Sequence, residues 1–194
     1  QPCTAEMRTR DDAVMCGLAL MPEIIRAYDP SVEMTTDHAD GDAVTRGDAV
    51  LTLRGPLRSV LMLERVALNF CCHLSGIATL TRQFADAVAH TRAGIYDTRK
   101  TIPGLRRLAK YAVACGGGHN HRIGLYDAVL VKDNHIAHTD PAELQATMAA
   151  LVERARAQTP PPTFIEIEVD TLDQLKRVLP TGVDVVLLDN MAPA

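Results

Sequence analysis

Tryptophan is absent from this 194-residue chain, and aromatic residues of all kinds make up only 4% of it. Its interior must therefore be assembled from aliphatic side chains. No lysine stands before Lys100. That removes the attachment residue that a biotin or lipoyl carrier needs, although DGDAVTRGDAVLTLRGP (residues 40–56) has the glycine-turn pattern of such hairpins. Excess positive charge is missing too. With a net charge of −4, the chain lacks the basic field expected of a general nucleic-acid or anionic-membrane binder. No uninterrupted apolar run approaches the roughly 18–20 residues of a membrane span, and no charged-then-apolar leader opens the sequence. Disulfide spacing is lacking as well. The five cysteines at 3, 16, 71, 72 and 115 are odd in number and include an adjacent pair, which suits reduced thiols and a cytoplasmic location.

What is present is 47% hydrophobic and 23% charged residues, enough for one large or two small globular domains. The chain begins on Gln rather than Met and stops at LLDNMAPA without an evident ending, so it is expected to be part of a longer polypeptide.

The second half alternates short apolar runs with helical patterns. Strands are expected at residues 95–100 (IYDTRK), 128–134 (AVLVKDN), 164–170 (FIEIEVD) and 183–190 (VDVVLLDN). Each is nearly continuous in hydrophobicity, as a strand covered on both faces should be. Asp140 can cap a helix beginning at Pro141, and Thr171 with Gln174 has capping-box spacing for the next. QTPPPTF (158–164) reads as a stiff exposed loop. Strands alternating with helices imply parallel pairing, in a doubly wound sheet or an α/β barrel, with ligands at the C-terminal strand ends. Those ends carry Arg99 and Lys100, Lys132, Glu168, and Asp189 with Asn190.

Upstream, residues 58–90 read as helical with a break at Ser75 and Gly76. Ile77, Leu80, Phe84 and Val88 are expected to form a core stripe after the break. Residues 1–57, with turns at Gly41 and Gly47, read as β-hairpins in a separate small layer.

Charge is segregated along this order. Residues 99–132 hold seven cationic residues and one anionic, a net of +6, which leaves −10 for the remainder. Arg106, Arg107 and Lys110 fit a solvated helix face. Arg99, Lys100 and Lys132 do not, because ionised groups beside apolar strand ends need partners. ACGGGHNHRIG (114–124) has three glycines that allow close backbone approach, but it lacks the ending of a P-loop and the spacing of a dinucleotide fingerprint. His119, His121 and Cys115 fall short of a four-ligand zinc set. His121 beside Arg122 suits carboxylate or phosphate recognition better. Glu168 and Asp189 either neutralise these cations or hold sugar hydroxyls or a divalent cation, Mg²⁺ being preferred for phosphate chemistry. Forks and carboxylates together fit a phosphorylated sugar plus a small acid.

Taken in order, ERVALNFCCHLSGIATLT, DTRKTIPGLR, AKYAV, GGGHNHR, VKDNHI, EIEVD and LLDN resemble the motifs of the quinolinate phosphoribosyltransferase family. The resemblance runs through essentially the whole chain and is dense from 64 to 135. It implies an N-terminal α/β sandwich domain (residues 1–62) and an α/β barrel of the type II phosphoribosyltransferase kind (residues 63–194), incomplete here because the family continues past LLDN. It also implies a homodimer or a hexamer. The implied reaction converts quinolinate and phosphoribosyl pyrophosphate, with Mg²⁺, to nicotinate mononucleotide, pyrophosphate and CO₂ in de novo NAD synthesis. By the same resemblance Arg99, His121 and Arg122 grip the quinolinate carboxylates, and Arg65 reaches in from the neighbouring subunit. Lys132 lies near both substrates and Lys100 binds donor phosphate oxygens. Glu168 and Asp189 hold the ribose hydroxyls or the metal. The competing readings are a molybdenum-transport-associated relative, a nicotinate-using enzyme and a truncated non-catalytic family member. The set Arg65, Arg99, His121 and Arg122 favours a substrate with two carboxylates.

Overall fold

Alternation at the N-terminus shows at once what the first strand does. In β1 (Pro2–Arg8) every second residue is half-buried, and Cys3, Ala5 and Met7 are turned to a hydrophobic cluster. The computed structural model describes residues 1–192 and divides into two units, residues 1–121 and the remainder from Arg122. The boundary expected at 62/63 falls inside a helix, and the last two residues of the expected 63–194 domain lie outside the described residues.

In the first unit, β2 (Ala13–Val14), α1 (Met21–Tyr28), β3 (Glu33–Thr35), β4 (Ala43–Val44) and β5 (Ala49–Pro56) follow β1. The strands are antiparallel. β5 lies between β1 and β3, and β2 pairs β4. The expected turn glycines are turns, with φ near +100° at Gly41 and +98° at Gly47. The pairing is less local than simple hairpins, since Pro2 opposes Pro56.

α2 (Leu57–Val88) runs unbroken through Ser75 and Gly76. The expected break is absent because Ser75 is tied down by tertiary bonds: its hydroxyl accepts from Cys16 N at 2.9 Å and donates to Cys16 O at 3.1 Å. The buried stripe of α2 is Val60, Leu63, Ala67, Cys71, Leu74, Ala78 and Thr81, at helical spacing. The expected core stripe is therefore displaced, with Leu80 and Phe84 more than half exposed. The physical reason is closeness of approach. A Cβ added to Gly17 would lie 3.3 Å from Cys71 Cα, and one added to Gly116 would lie 2.4 Å from Ala78 O, so this face takes small side chains where a hydrophobicity pattern selects large ones. By length and composition α2 is long and apolar enough to cross a membrane, with mean hydropathy 1.3 over an 18-residue window. Its buried stripe packs instead on the sheet and on α3 (Arg106–Cys115), while Arg58, Glu64 and Arg65 stay exposed.

The second unit contains β6 (Val129–Val131), α4 (Asp133–Ile136), α5 (Leu144–Arg156), β7 (Ile165–Val169), α6 (Leu172–Val178) and β8 (Val185–Leu188). Its three strands are parallel in the order β6-β7-β8, so the α/β class expected from the sequence holds. All five residues of β7 are buried, as a strand covered on both faces requires. Ile167 and Val169 pack with Leu144 and Met148 of α5 and Val178 of α6, each such side chain being worth about 1.5–3 kcal/mol. Asp140 accepts from Ala142 N at 2.8 Å, although regular helix starts only at Leu144. The Thr171–Gln174 capping box forms as expected. No strand forms at residues 95–100. Tyr96 makes an isolated bridge with His119 instead.

Candidate active site

At the C-terminal edge of the parallel sheet the register decides which side chains meet. Val131 pairs Ile167, so Lys132 emerges one step beyond β6, level with Glu168. Leu188 pairs Val169, and Asp189 N donates to Val169 O at 2.9 Å, which sets Asp189 just past the end of β8. Lys132 Nζ stands 3.4 Å from Glu168 Oε2, with the lysine side chain 48% exposed and the glutamate 10%. That spacing exceeds a charge-assisted hydrogen bond of about 2.8 Å. The pair attracts without locking, and the lysine end is open to solvent. His135, which the strand-end pattern does not single out, and Asn190 brace this edge. His135 Nδ1 accepts from Lys132 N at 2.8 Å, and Asn190 donates to Asp189 Oδ2 at 2.7 Å from a left-handed backbone with φ 54°. Glu168 alternates with Glu166 on the face of β7 opposite Ile167, and both glutamates are buried.

Arg122, which opens this unit, is buried. The loop after it is fixed by Asp127, whose two carboxylate oxygens accept from Ile123 N at 2.7 Å and Gly124 N at 2.8 Å.

In the first unit, Arg99, Lys100 and His121 lie on two loop segments that are zipped together. His119 N donates to Ile95 O at 2.7 Å, Asp97 N donates to His119 O at 3.0 Å, and the Tyr96 and His119 rings sit 5.0 Å apart. Arg99 and Lys100 thus lie in a turn, not at the strand end that the sequence implies. The turn is held by Lys100 N donating to Thr98 Oγ1 (3.1 Å) and by Arg106, which reaches Arg99 O and Thr101 Oγ1, each at 3.3 Å.

The solvated-face reading of α3 holds for Arg107 and fails for Lys110. Lys110 is 3% exposed and ion-paired with Asp97. The hydrophobic side of an amphipathic helix would ordinarily exclude an ammonium, and it is kept here because Asp97 and His121 O both accept from it. Asp97, Lys100 and Lys110 help line a cavity of about 260 Å³.

The glycine run has a packing role. A Cβ on Gly118 would meet Thr81 Cγ2 at 2.7 Å, and Arg82 Nε donates to Gly116 O at 3.0 Å, capping the end of α3. Arg65 is exposed on α2 and lines a separate cleft of about 750 Å³ with Arg8, Arg10 and Asn69.

All five cysteines are free thiols, as expected. Burial pushes the Cys71 thiol up to about 12, so it is inert at neutral pH. Among the described residues no group of three His, Cys, Asp or Glu is placed to hold a metal. Glu168 and Asp189 remain as two carboxylates at neighbouring strand ends.

Two family models match the chain. The family model "Quinolinate phosphoribosyl transferase, N-terminal domain" matches residues 1–75, and "Quinolinate phosphoribosyl transferase, C-terminal domain" matches residues 77–194. A Bacillus subtilis protein named probable nicotinate-nucleotide pyrophosphorylase (carboxylating) is 39% identical over 193 residues, covering 100% of this chain and 65% of that protein. The nicotinate-nucleotide pyrophosphorylase (carboxylating) of Mycobacterium leprae is 46% identical over 153 residues, covering 78% of this chain and 51% of that protein. A solved nicotinate-nucleotide pyrophosphorylase from Francisella tularensis is 38% identical with a TM-score of 0.90, covering 99% of this chain and 66% of that one. The chain thus spans between about half and two thirds of the length of the curated relatives it matches.

Proposed function

This chain belongs to the quinolinate phosphoribosyl transferase family, and we propose that the full-length protein containing it transfers the phosphoribosyl group of phosphoribosyl pyrophosphate to quinolinate with loss of CO₂, forming nicotinate mononucleotide for NAD synthesis. The observation that carries this reading is the meeting of Lys132, Glu168 and Asp189 at one sheet edge, where ligands of open α/β sheets bind.

In this reading the bond from the anomeric carbon to pyrophosphate breaks as the pyridine nitrogen closes in, and positive charge grows on the sugar. Glu168 faces that charge as a carboxylate already fixed in a buried strand, so no reorganisation is needed when it develops. Lys132 balances Glu168 in the resting protein and is exposed enough to turn toward an arriving phosphate oxygen. Asp189 receives ribose hydroxyls. Arg99, His121 and Arg122 hold the two quinolinate carboxylates, which is catalysis by alignment, and Lys100 takes a donor phosphate oxygen. Arg65 serves the site of a neighbouring subunit in a homodimer or a hexamer. Glu168 and Asp189 suit Mg²⁺, which favours one or two carboxylates and leaves its other positions to water and substrate phosphates. Bound there, Mg²⁺ would offset the charge accumulating on pyrophosphate. Free thiols at all five cysteines accord with a cytoplasmic location.

The test is product formation by the full-length protein given phosphoribosyl pyrophosphate, Mg²⁺ and either quinolinate or nicotinate. Nicotinate mononucleotide is expected from quinolinate alone. Product from nicotinate alone, or from neither acid, would overturn the reading.

A further inference from the structure

We propose that the buried Asp97–Lys110 pair is the positioning device that presents Arg99, Lys100 and His121 to substrate. The inference rests on the function proposed above, in which those three residues are the binding groups.

The pair is nearly dry, with Lys110 and Asp97 side chains 4% and 7% exposed. Each partner also holds backbone. Asp97 Oδ1 accepts from His121 N at 2.8 Å, and Lys110 Nζ donates to His121 O at 2.9 Å, so both backbone groups of His121 are fixed by one ion pair. Asn120, with its amide nitrogen turned toward the acceptors, donates to Asp97 Oδ2 at 2.8 Å and to Lys110 O at 2.9 Å. Three separated stretches of chain, at residues 97, 110 and 120–121, therefore converge on one pair of charges. Asp97 stands two residues before Arg99 and three before Lys100, and α3 adds a second hold on the same turn through Arg106 and Arg99 O.

Geometry of this kind has a recognisable energetic form. Neither segment has a strand ladder to keep it in place beyond the Tyr96–His119 bridge. A buried ion pair adds little net stability compared with an apolar pair of the same shape, but in some proteins it fixes one arrangement among several, and that is the role proposed for this one. Its contribution is to pay the ordering entropy of the binding loops before substrate arrives. Lys110 and Asp97 touch no substrate in this account and act through the backbone of His121 and the 97–100 turn.

The experiment compares four full-length proteins: unaltered, Lys110→Met, Asp97→Asn with Lys110→Met, and Arg107→Ala as the exposed control on α3. Lys110→Met leaves a buried carboxylate without its cation and should lower the melting temperature. The double variant removes both charges and should recover it. If the pair positions the loops, KM for quinolinate stays raised at least tenfold in the double variant despite recovered stability, while Arg107→Ala matches the unaltered protein in both. Recovery of KM together with stability in the double variant would reduce the pair to a structural role and overturn the proposal, as would an unchanged KM in Lys110→Met.

A second readout needs no substitution. Amide exchange at His121, whose N–H is held by Asp97 Oδ1, should be slow in the unaltered protein before quinolinate is added and unchanged after it. Exchange that slows only on adding quinolinate would show that substrate, not the pair, orders the loops. Loss of activity in the unaltered protein would instead defeat the proposed function, leaving the exchange result to decide on the pair.

Discussion

Replacing Gly116 and Gly76 separately by alanine should move stability in opposite directions, although the same methyl group is added each time. Gly116 closes α3 with φ −74° and ψ −5°, a conformation alanine adopts freely, so any penalty is steric rather than conformational. The new Cβ would stand 2.4 Å from Ala78 O and 2.6 Å from Thr81 Cβ. Neither atom is the far end of a flexible side chain, so α2 and α3 must separate. Overpacking of this kind costs about 1–3 kcal/mol. At about 2–4 °C per kcal/mol for a chain of this size, the melting temperature should fall by roughly 2–12 °C. Gly76 lies inside α2 with nothing within 4 Å of its added Cβ. There alanine removes unfolded-state freedom and should gain about 0.5–1 kcal/mol, or roughly 1–4 °C. Thermal unfolding of the full-length protein followed by circular dichroism measures both. An unchanged melting temperature in Gly116→Ala, combined with weaker phosphoribosyl pyrophosphate binding, would refute the packing argument and return the glycine run to a ligand-cradling role.

Glu168→Gln keeps the shape of a buried side chain and removes its charge, so kcat should fall by about 10²-fold or more with little change in melting temperature; steady-state rates equal to the unaltered protein would remove Glu168 from the chemistry. Arg65→Ala should raise KM for quinolinate by a factor corresponding to about 1.5–3 kcal/mol. Mixing it with inactive Arg122→Ala should restore activity if the two residues serve one site from different subunits, and titration of mixed subunits against turnover checks this. Asp184 is held below the usual carboxylate range by its bonds from Arg156 and Ile165 N. Its contribution is therefore present above the unfolded value near pH 3.9 and is lost as pH falls through the lower folded value. Since this side chain is 36% exposed, Asp184→Asn should cost only about 0.5–1 kcal/mol near neutrality, with no cost once acid has protonated the native carboxylate. Denaturant unfolding between pH 2 and 7 tests that sign.

Particular residues explain how far the sequence could be read. β7 and β8 were legible because continuous apolar runs with a polar residue at the end have few alternatives, and the Thr171–Gln174 box is a local signal that tertiary packing did not disturb. Lys132, Glu168 and Asp189 were found as strand-end residues, and the parallel register places them at one edge. The 95–100 segment was misread because Ile95 and Tyr96 look like a strand while the bonds that hold them come from His119. Lys110 was missed for a related reason. Sequence places it beside Arg106 and Arg107 in a basic run, and only the fold reveals Asp97 thirteen residues earlier as its partner. The small residues Ala67, Cys71 and Ala78, buried on α2, were passed over because hydrophobicity favours Leu80 and Phe84 while close packing favours small side chains.

The most direct measurement of the central claim is release of labelled CO₂ from carboxyl-labelled quinolinate by the full-length protein, with and without phosphoribosyl pyrophosphate. One CO₂ is expected per nicotinate mononucleotide formed, and none when the sugar donor is left out. Nucleotide formed without CO₂, or CO₂ released without the donor, would contradict it.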